Sequence, residues 1–403
     1  MVITMTANQS ARHVAVIGAG IVGASIAWRI ASRGLRVTLI DKAEPGSGAS
    51  SHSFAWINAG AKQPIGYHNL NRRSLEMWPR FAAAIADDGD VANVGLRWGG
   101  KVAWETAPDA AQQLQARVQL LQSWGYPIRT VSAAELADLE PSLEIGPVAA
   151  AEYSENEGQV EPQLVVDACL RRLAELEASV LTGVTVSGFS LNGAGHIQAV
   201  QTESDEIAVD AVVLAAGTDT TALADLAGVK IPQAESPGVV IRTTPLPPLL
   251  HHVPVVYAPP LGDGRREIHL RQCPDGRFMI GEGDQESLAE DDTQAHADDL
   301  LSRAACYLSG LSDAQAIPVP VGWRPMPLDG YPTFGFTNEA PNLYVALTHS
   351  GVTLAPALSQ LAALEICDNA RADAVLSPYR PERFAAMTAE EIETMAHPRA
   401  AHR

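Results

Sequence analysis

The chain has 403 residues, 46% of them hydrophobic, which is enough for more than one domain with a sizeable core. Its 28 Lys and Arg against 47 Asp and Glu give a net charge of −19, so nucleic acid would be repelled and is not expected as a partner. The sequence has no run of about 18 apolar residues and no basic-then-apolar N-terminus, so we expect a cytoplasmic protein without a membrane span. The four cysteines form no CxxC pair, and no metal is expected.

The first predicted unit is a β-strand, a glycine turn and a helix. An apolar run at 14–17 is followed by Gly18, Gly20 and Gly23, in the spacing GxGxxG. In such a turn the first glycine permits the tight bend, the second lets the backbone approach a pyrophosphate, and the third lets the helix pack on the strand. The spacing therefore predicts a dinucleotide-binding turn.

The flanking elements support this interpretation. The helix would begin near Ile21 and Val22, and its unpaired N–H groups would favour phosphate binding. A second apolar strand, VTLI, ends at Asp41 and Lys42, where a carboxylate can bind ribose hydroxyls. Strand, turn, helix and acidic residue together predict a Rossmann-like βαβ unit.

Small residues next to this unit indicate which dinucleotide binds. The run PGSGASS at 45–51 has a backbone that could lie along a second stretch of cofactor, which suits FAD better than NAD. The candidate contacts here are Gly48, Ala49, Ser50 and Ser51.

With this run, VTLIDKAEPGSGASS resembles the FAD-dependent D-amino-acid oxidase superfamily, which includes glycine oxidase, sarcosine oxidase and dimethylglycine dehydrogenase. The resemblance implies an α/β fold: a Rossmann-like FAD-binding domain (GR2-type) with an inserted α+β substrate domain on a mostly antiparallel sheet.

The elements alternate as if one domain were interrupted by two insertions. We expect the FAD-binding domain at 11–80, 150–228 and 325–370, the substrate domain at 81–149 and 229–324, and a tail without assigned chemistry at 371–403.

Buried strands are expected at 184–186 and 210–217, and a helix from Pro162. In the resembled family, residues at the positions of Val184, Ala216 and Gly217 contact the adenine end of FAD.

The C-terminal third resembles the closing motif of the same superfamily, in GWRPMPLDG at 322–330 and NLYVALTHSGVTLAPALSQLAALEI at 342–366. We expect a strand at 342–347, a turn at 349–353 and a helix at 354–366, whose N-terminus would stabilise negative charge on reduced flavin. The candidate cofactor contacts are Ser350, Gly351, Val352 and Thr353, and His349 is assigned to catalysis.

Arg324 is the candidate group for the substrate. The resemblance implies that the arginine of this G-x-R-P motif binds the substrate carboxylate, a task that suits a guanidinium, although an arginine before a proline can also be a plain surface residue. Glycine oxidases have a longer turn after the position of His349, with a further arginine, whereas here Ser350 passes directly to Gly351. A second carboxylate clamp from that turn is missing.

Two histidines have two interpretations each. His52 lies at the spacing where dimethylglycine dehydrogenase-like proteins bond FAD covalently, but it can equally be a polar loop residue, and we favour non-covalent FAD. Residues 325–328 contain no cysteine, so a thioether bond to FAD is not expected there. His269 and Arg271 lie on the same side of a predicted strand. Either that side faces the flavin, so that His269 acts in catalysis and both residues bind the substrate, or it is an exposed sheet face.

The expected activity is oxidation of the C–N bond of a small amine or amino acid, such as a D-amino acid, glycine or an N-methyl amino acid. Hydride transfer to flavin N5 would give an imine that hydrolyses, with oxygen or another acceptor taking the electrons. The alternative is the flavin subunit of a multi-subunit amino-acid or opine dehydrogenase that passes electrons to a partner. The sequence leaves open a homo-oligomer, and a non-redox FAD protein or an NAD-dependent dehydrogenase is less consistent with the motifs.

Overall fold

The structure is a computed structural model in which residues 12–262, 264–283, 288–388 and 390–392 are described. Three predicted regions lie wholly or partly outside the described residues. They are the N-terminal segment used to predict localisation, the first residue of the 11–80 range, and residues 393–403 of the predicted tail.

The strands occur along the whole described chain. They are β1 (His13–Ile17), β2 (Arg36–Asp41), β3 (Trp56–Ile57), β4 (Arg97–Trp98), β5 (Lys101–Glu105), β6 (Ile128–Val131), β7 (Ala150–Ser154), β8 (Gly158–Gln159), β9 (Ser179–Thr182), β10 (Val186–Leu191), β11 (Ile197–Thr202), β12 (Glu206–Ala208), β13 (Ala211–Leu214), β14 (Gln233–Ala234), β15 (Pro237–Gly238), β16 (Ile241–Thr243), β17 (Val255–Ala258), β18 (Ile268–Gln272), β19 (Phe278–Glu282), β20 (Ala316–Pro318), β21 (Gly322–Trp323), β22 (Met326–Pro327), β23 (Thr333–Phe336) and β24 (Leu343–Leu347).

The α-helices are α1 (Ile21–Ala31), α2 (Ile65–Ile85), α3 (Pro108–Ser123), α4 (Ala133–Leu139), α5 (Pro162–Glu175), α6 (Thr220–Asp225), α7 (Gln294–Ala305), α8 (Gly351–Asp368) and α9 (Asp373–Leu376). Within the described residues, none of them combines the length and apolarity that crossing a bilayer requires.

A six-stranded sheet with the order β23-β24-β13-β1-β2-β9 organises the first half of the fold. All its pairs are parallel except β23 with β24. Helices α1, α2, α5 and α8 cover one face, and the small sheet β10-β11-β12 with α6 covers the other. Because both faces are buried, β13 and β24 are apolar along their whole length, and β1 is apolar after His13.

An eight-stranded sheet with the order β20-β16-β19-β18-β17-β5-β7-β6 forms the second half. Its pairs are antiparallel except β17 with β5. On β18, Ile268 and Leu270 lie in the core that also contains Leu300 of α7, so strand alternation turns His269 and Arg271 to the opposite face. The α/β fold with a mostly antiparallel inserted sheet is as the sequence predicts.

The boundaries between the two halves differ from those expected. Helix α2 continues to Ile85, so the expected boundary at 80 falls inside a helix. Phe81 and Ala82 pack in the hydrophobic core between the six-stranded sheet and its covering helices, here called the first core. Strand β7 pairs with β5 and β6, so residues 150–154 belong to the eight-stranded sheet. No strand begins at Val184: β9 ends at Thr182, and β10 begins at Val186 in a different sheet.

Residues 371–384 are part of the fold. The Arg380 guanidinium donates two hydrogen bonds to the Glu365 carboxylate of α8, at 2.9 and 2.6 Å, and a third to Asp373 at 2.7 Å. Tyr344 of β24 donates its hydroxyl to the same Glu365 at 2.8 Å. Glu365 and Arg380 are both buried, so this pair fixes the C-terminal segment on the first core.

Replacing Arg380 should destabilise the protein strongly. An Arg380→Met substitution leaves the buried Glu365 without its cationic partner, which costs about 3–5 kcal/mol of unfolding free energy. Arg371→Met is the matched control, because Arg371 pairs with Asp373 while its side chain is 72% exposed, and the expected loss is about 1 kcal/mol or less. Urea unfolding of both variants measures the two losses of unfolding free energy, and equal losses would contradict the assignment.

Candidate active site

The glycine turn after β1 holds α1 directly against the six-stranded sheet. Gly18 has φ +99°, and a Cβ built on it would lie 2.3 Å from the Ala215 carbonyl oxygen. A Cβ on Gly23 would lie 1.9 Å from the Gly18 carbonyl oxygen. Neither position has space for a side chain, so this tight turn and the close packing of α1 both require glycine.

Asp41 closes the turn from the end of β2. Its carboxylate accepts hydrogen bonds from the backbone N–H of Ala19 at 2.7 Å and of Ala43 at 2.9 Å. The adjacent Lys42 forms an ion pair with Asp219 at 2.7 Å. These contacts bring the ends of β2 and β13 together around one opening.

That opening is a cavity of about 520 Å³ at the carboxyl ends of β1, β2, β13 and β24, here named the dinucleotide cavity. Most of the predicted cofactor contacts line it: Gly18, Gly20, Ile21, Val22, Asp41, Lys42, Gly48, Ala49, Ser50, Val184, Ala216, Gly217, Gly351 and Val352. Gly23 and Ser51 do not line it. Gly23 serves the packing described above, and the Ser51 hydroxyl donates to the Ser47 and Gly48 carbonyls of its own turn.

Two helices begin at this cavity. Ser50 accepts the N–H of Ile21 at 3.0 Å, and a Cβ on Gly351 would lie 3.1 Å from Val22, so the first turns of α1 and α8 are in contact. Helix α8 starts at Gly351, three residues earlier than expected, which makes Gly351, Val352 and Thr353 its first turn.

The cavity walls fit an extended dinucleotide. The Thr348 hydroxyl beside the start of α8 is buried and has no hydrogen-bond partner within the described chain, as expected for a group that binds a ligand. The Thr353 hydroxyl instead donates to the Trp56 carbonyl at 3.4 Å. Two helix N-termini and glycine-lined backbone suit the pyrophosphate and flavin of FAD, so the residues present fit that cofactor.

A second cavity of about 150 Å³, here named the adjoining cavity, shares five lining residues with the first: Ala49, Ser53, Pro325, His349 and Val352. It is also lined by His52, His269, Arg324, Ser350 and Thr353, which the sequence assigned to the site. All three predicted catalytic residues, His269, Arg324 and His349, are therefore brought together here.

Arg271 lies outside both cavities. Its side chain is fully buried, its Nε donates to the Phe54 carbonyl, and its Nη2 is 3.4 Å from the Glu161 carboxylate. Strand alternation places Arg271 on the same face as His269, but the chain at Phe54 covers it. We therefore replace the expected substrate-binding role by a packing role that holds the segment around Phe54 on β18.

The Arg324 guanidinium is held flat on β15. Its Nη1 donates to the Pro237 carbonyl at 2.9 Å and to the Ser236 hydroxyl at 3.4 Å. A Cβ built on Gly238 would lie 2.2 Å from Nη2, so glycine at this position makes room for the guanidinium. These contacts fix the plane of Arg324 at the wall of the adjoining cavity.

His349 lies between the two cavities and is half-buried. Burial, together with the positive charges of Lys62 and Arg324, lowers its pKa well below the ordinary value, so the imidazole is neutral at pH 7. His349 can thus form hydrogen bonds at the site but does not add a positive charge.

The other two histidines are packed against the walls. The His269 ring stacks on Tyr257 with centroids 5.1 Å apart and meets Phe54 edge-on at 4.6 Å. The His52 Nδ1 is 3.0 Å from the Ser51 hydroxyl and 3.1 Å from the Gly48 carbonyl. Both line the adjoining cavity.

Several lining residues were missed by the sequence analysis, among them Trp56, Asn58, Lys62, Tyr257 and Glu282. The Asn58 Oδ1 is buried and has no partner within the described chain, which makes it an available acceptor. Lys62 is one of four lysines in the sequence and lies among small residues. This unusual position was the sequence feature that could have identified it as a candidate site residue. No local sequence pattern identifies the remaining residues as part of a cavity.

Alanine at position 20 should weaken FAD binding without unfolding the protein. Gly20 has φ −69°, which alanine adopts readily, and its Cβ would meet only Ser50 Oγ, at 3.3 Å. The added methyl group narrows the place where the pyrophosphate is expected, so the Kd for FAD should rise about tenfold or more. Flavin fluorescence titration measures it. Gly66→Ala, at an exposed helical position with no neighbour within 4 Å, is the control, and an unchanged Kd for Gly20→Ala would contradict the placement.

Comparison with known proteins agrees with this geometry. The chain is 28% identical over 389 residues to one subunit of the opine oxidase of Agrobacterium tumefaciens (strain Ach5), covering 93% of this chain and 98% of that protein. It is 26% identical over 357 residues to glycine oxidase of Geobacillus kaustophilus (strain HTA426), covering 87% and 91%.

Solved structures show the same fold. Glycine oxidase from Geobacillus kaustophilus superposes with a TM-score of 0.79 at 25% identity, over 92% of this chain and 98% of that one. L-proline dehydrogenase from P. horikoshii superposes with a TM-score of 0.78 at 22% identity, over 93% and 98%, and supports the fold alone. The model of the DAO family, described as FAD dependent oxidoreductase, matches residues 13–364. The chain therefore belongs to the DAO family of FAD-dependent oxidoreductases.

Proposed function

We propose that this FAD-dependent oxidoreductase oxidises the C–N bond of a small amino acid or amine whose carboxylate binds Arg324. The observation that carries the proposal is the adjoining cavity, which places a fixed guanidinium next to the dinucleotide cavity. The similarity to glycine oxidase and to a component of opine oxidase supports an amino-acid substrate.

The residues of the adjoining cavity can each be given a task. Arg324 orients the substrate by its carboxylate, a bidentate interaction for which the fixed plane of the guanidinium is suited. Phe54, Trp56 and Tyr257 supply aromatic walls that exclude water. His349, whose imidazole is neutral, can form hydrogen bonds to the amine or the cofactor. His269 lines the same cavity.

When bound, FAD would supply the acceptor for the hydride that leaves the carbon beside the amine nitrogen, and water would hydrolyse the resulting imine. The protein assists by placing the start of α8, with its unpaired N–H groups, at the cofactor. We assign no strong base to the reaction.

A second candidate differs only in the electron acceptor. The similarity to a protein named as a subunit of opine oxidase favours transfer of electrons to a partner protein instead of oxygen. Air readmitted after anaerobic reduction separates the two: rapid reoxidation favours oxygen, and slow reoxidation that an artificial acceptor accelerates favours a partner.

We propose that FAD is bound without a covalent link. His52 directs its Nδ1 to the Ser51 hydroxyl and the Gly48 carbonyl, contacts that suit a loop-stabilising residue. Acid precipitation of the yellow protein should therefore release all of its FAD into the supernatant. Colour retained in the pellet, and lost in His52→Ala, would instead establish a tether at His52.

The activity is tested by the visible spectrum of the FAD-loaded protein without oxygen. Addition of pooled D-amino acids, glycine and N-methyl amino acids should bleach the flavin band, and splitting the pool identifies the substrate. In Arg324→Met the half-saturating substrate concentration should rise about tenfold or more, because a charged hydrogen bond to the carboxylate is lost, while the FAD content stays unchanged.

A flavin band that no amine bleaches would overturn the proposed activity. Bleaching at the same substrate concentration in Arg324→Met would overturn the role of Arg324 alone.

A further inference from the structure

We propose that Glu157, which lines neither cavity, is a positioning residue that fixes one wall of the adjoining cavity through Trp56 and Tyr126. Its effect on substrate binding rests on the proposed function, whereas its effect on Trp56 does not. Glu157 lies between β7 and β8 and is only 1% exposed. Burying a carboxyl group is costly unless hydrogen bonds compensate for the lost water, so its partners indicate its task.

Two donors from different parts of the chain point at the two oxygens of this carboxyl group. The indole Nε1 of Trp56 in β3 donates to Oε2 at 2.9 Å, and the hydroxyl of Tyr126, between α3 and β6, donates to Oε1 at 2.5 Å. A Cβ built on Gly60 would lie 2.9 Å from Oε1, so glycine at this position makes room for the carboxyl group. Glu157 thus joins β3, the loop after β3 and the segment after α3.

Both donors are connected to the adjoining cavity. Trp56 lines it, and its ring centroid lies 5.0 Å from that of Tyr257, another lining residue. The Tyr126 hydroxyl also accepts the backbone N–H of Ala59 at 3.3 Å, which holds the backbone next to the lining residue Asn58. A change at the buried carboxyl group is therefore transmitted to the wall without contact with the substrate.

The charged groups near Glu157 are bound to each other. The Lys101 ammonium of β5 binds the Glu152 carboxylate of β7, and Arg117 of α3 lies 2.7 Å from the same carboxylate. Burial, together with the negative charge of Glu152, raises the pKa of Glu157 to about 7, although Lys101 and the two hydrogen bonds act in the opposite direction. On α2, His68 packs against the tyrosine ring and is neutral at pH 7, because burial lowers its pKa.

Protonation of Glu157 changes how the wall is held. The ionised carboxylate accepts one hydrogen bond at each oxygen, so both donors are satisfied. The protonated group turns one of these oxygens into an O–H, which weakens the acceptor for either Trp56 or Tyr126. The wall is therefore held best above pH 7, where Glu157 is ionised, and less well as the pH falls below 7.

The first test follows Trp56 without any substrate. When the FAD-loaded wild-type protein is titrated across pH 7, its tryptophan emission should show a transition that Trp56→Phe and Glu157→Gln both lack. Tyr126→Phe should move the midpoint to higher pH, because the hydrogen bond from Tyr126 lowers the pKa of Glu157. Glu155→Gln is the matched control: Glu155 lies two residues away with its side chain 55% exposed, and this variant should keep the wild-type transition.

The second test measures the affinity for a ligand. Methoxyacetate contains no amine and stays a carboxylate across this range, and its binding is read from the shift of the visible flavin spectrum. The amide of Glu157→Gln resembles the protonated acid, so the ratio of wild-type to variant affinity should rise about threefold to tenfold as the pH increases through 7. His52 and His269 also line the cavity but are present in both proteins, so their titration cancels in this ratio.

An emission transition that persists in Glu157→Gln, or its absence from the wild-type protein, would overturn the proposal. If Glu157→Gln does not fold, an unchanged midpoint in Tyr126→Phe would overturn it instead. An affinity ratio that falls as the pH rises would mean that the charge of Glu157 merely repels the ligand, which also contradicts a positioning role.

The proposed function fails separately. If no amine bleaches the flavin, or methoxyacetate does not bind at any pH, the proposed activity or its carboxylate site is overturned. The emission titration would still decide whether Glu157 positions Trp56.

Discussion

The meeting of two helix N-termini at the edge of one parallel sheet is the constraint on which the rest of the structure depends. Helices α1 and α8 begin at Ile21 and Gly351, more than three hundred residues apart, and their first turns touch. The positive ends of two helix dipoles in one place favour a negatively charged ligand, and the dinucleotide cavity lies there. The inserted sheet can vary without disturbing this arrangement, because it contributes no strand to the six-stranded sheet.

The inserted sheet divides its residues between stability and chemistry by strand alternation. On β18 the even positions Ile268 and Leu270 pack against α7, and the odd positions face the cofactor side. Position along the strand then separates the two odd residues: His269 reaches the adjoining cavity, and Arg271 is covered at Phe54. One strand therefore carries two core residues, one cavity residue, and one buried arginine that binds a neighbouring loop.

The family, the cofactor and the α/β fold were predictable from sequence because their signals are local. Gly18, Gly20, Gly23 and Asp41 lie within 24 residues, and their spacing alone encodes the turn. The position of Lys62 at the adjoining cavity was not predictable, since the cavity is formed with residues such as Arg324 from another part of the chain. The strand expected at 184–186 was wrong for a related reason. Residues 183–185 connect β9 and β10, which belong to different sheets, and the hydrophobic pattern does not show where one sheet ends and the next begins.

The shared wall of the two cavities has a thermodynamic consequence. Ala49, Ser53, Pro325, His349 and Val352 each line both spaces, so a ligand in one space contacts residues that also shape the other. Any coupling between the two cavities through these residues is reciprocal: a carboxylate ligand that binds more tightly in the presence of FAD tightens FAD binding by the same factor. Substrate analogues should accordingly retain the cofactor in the protein, and dilution without them should be the condition in which the flavin is lost.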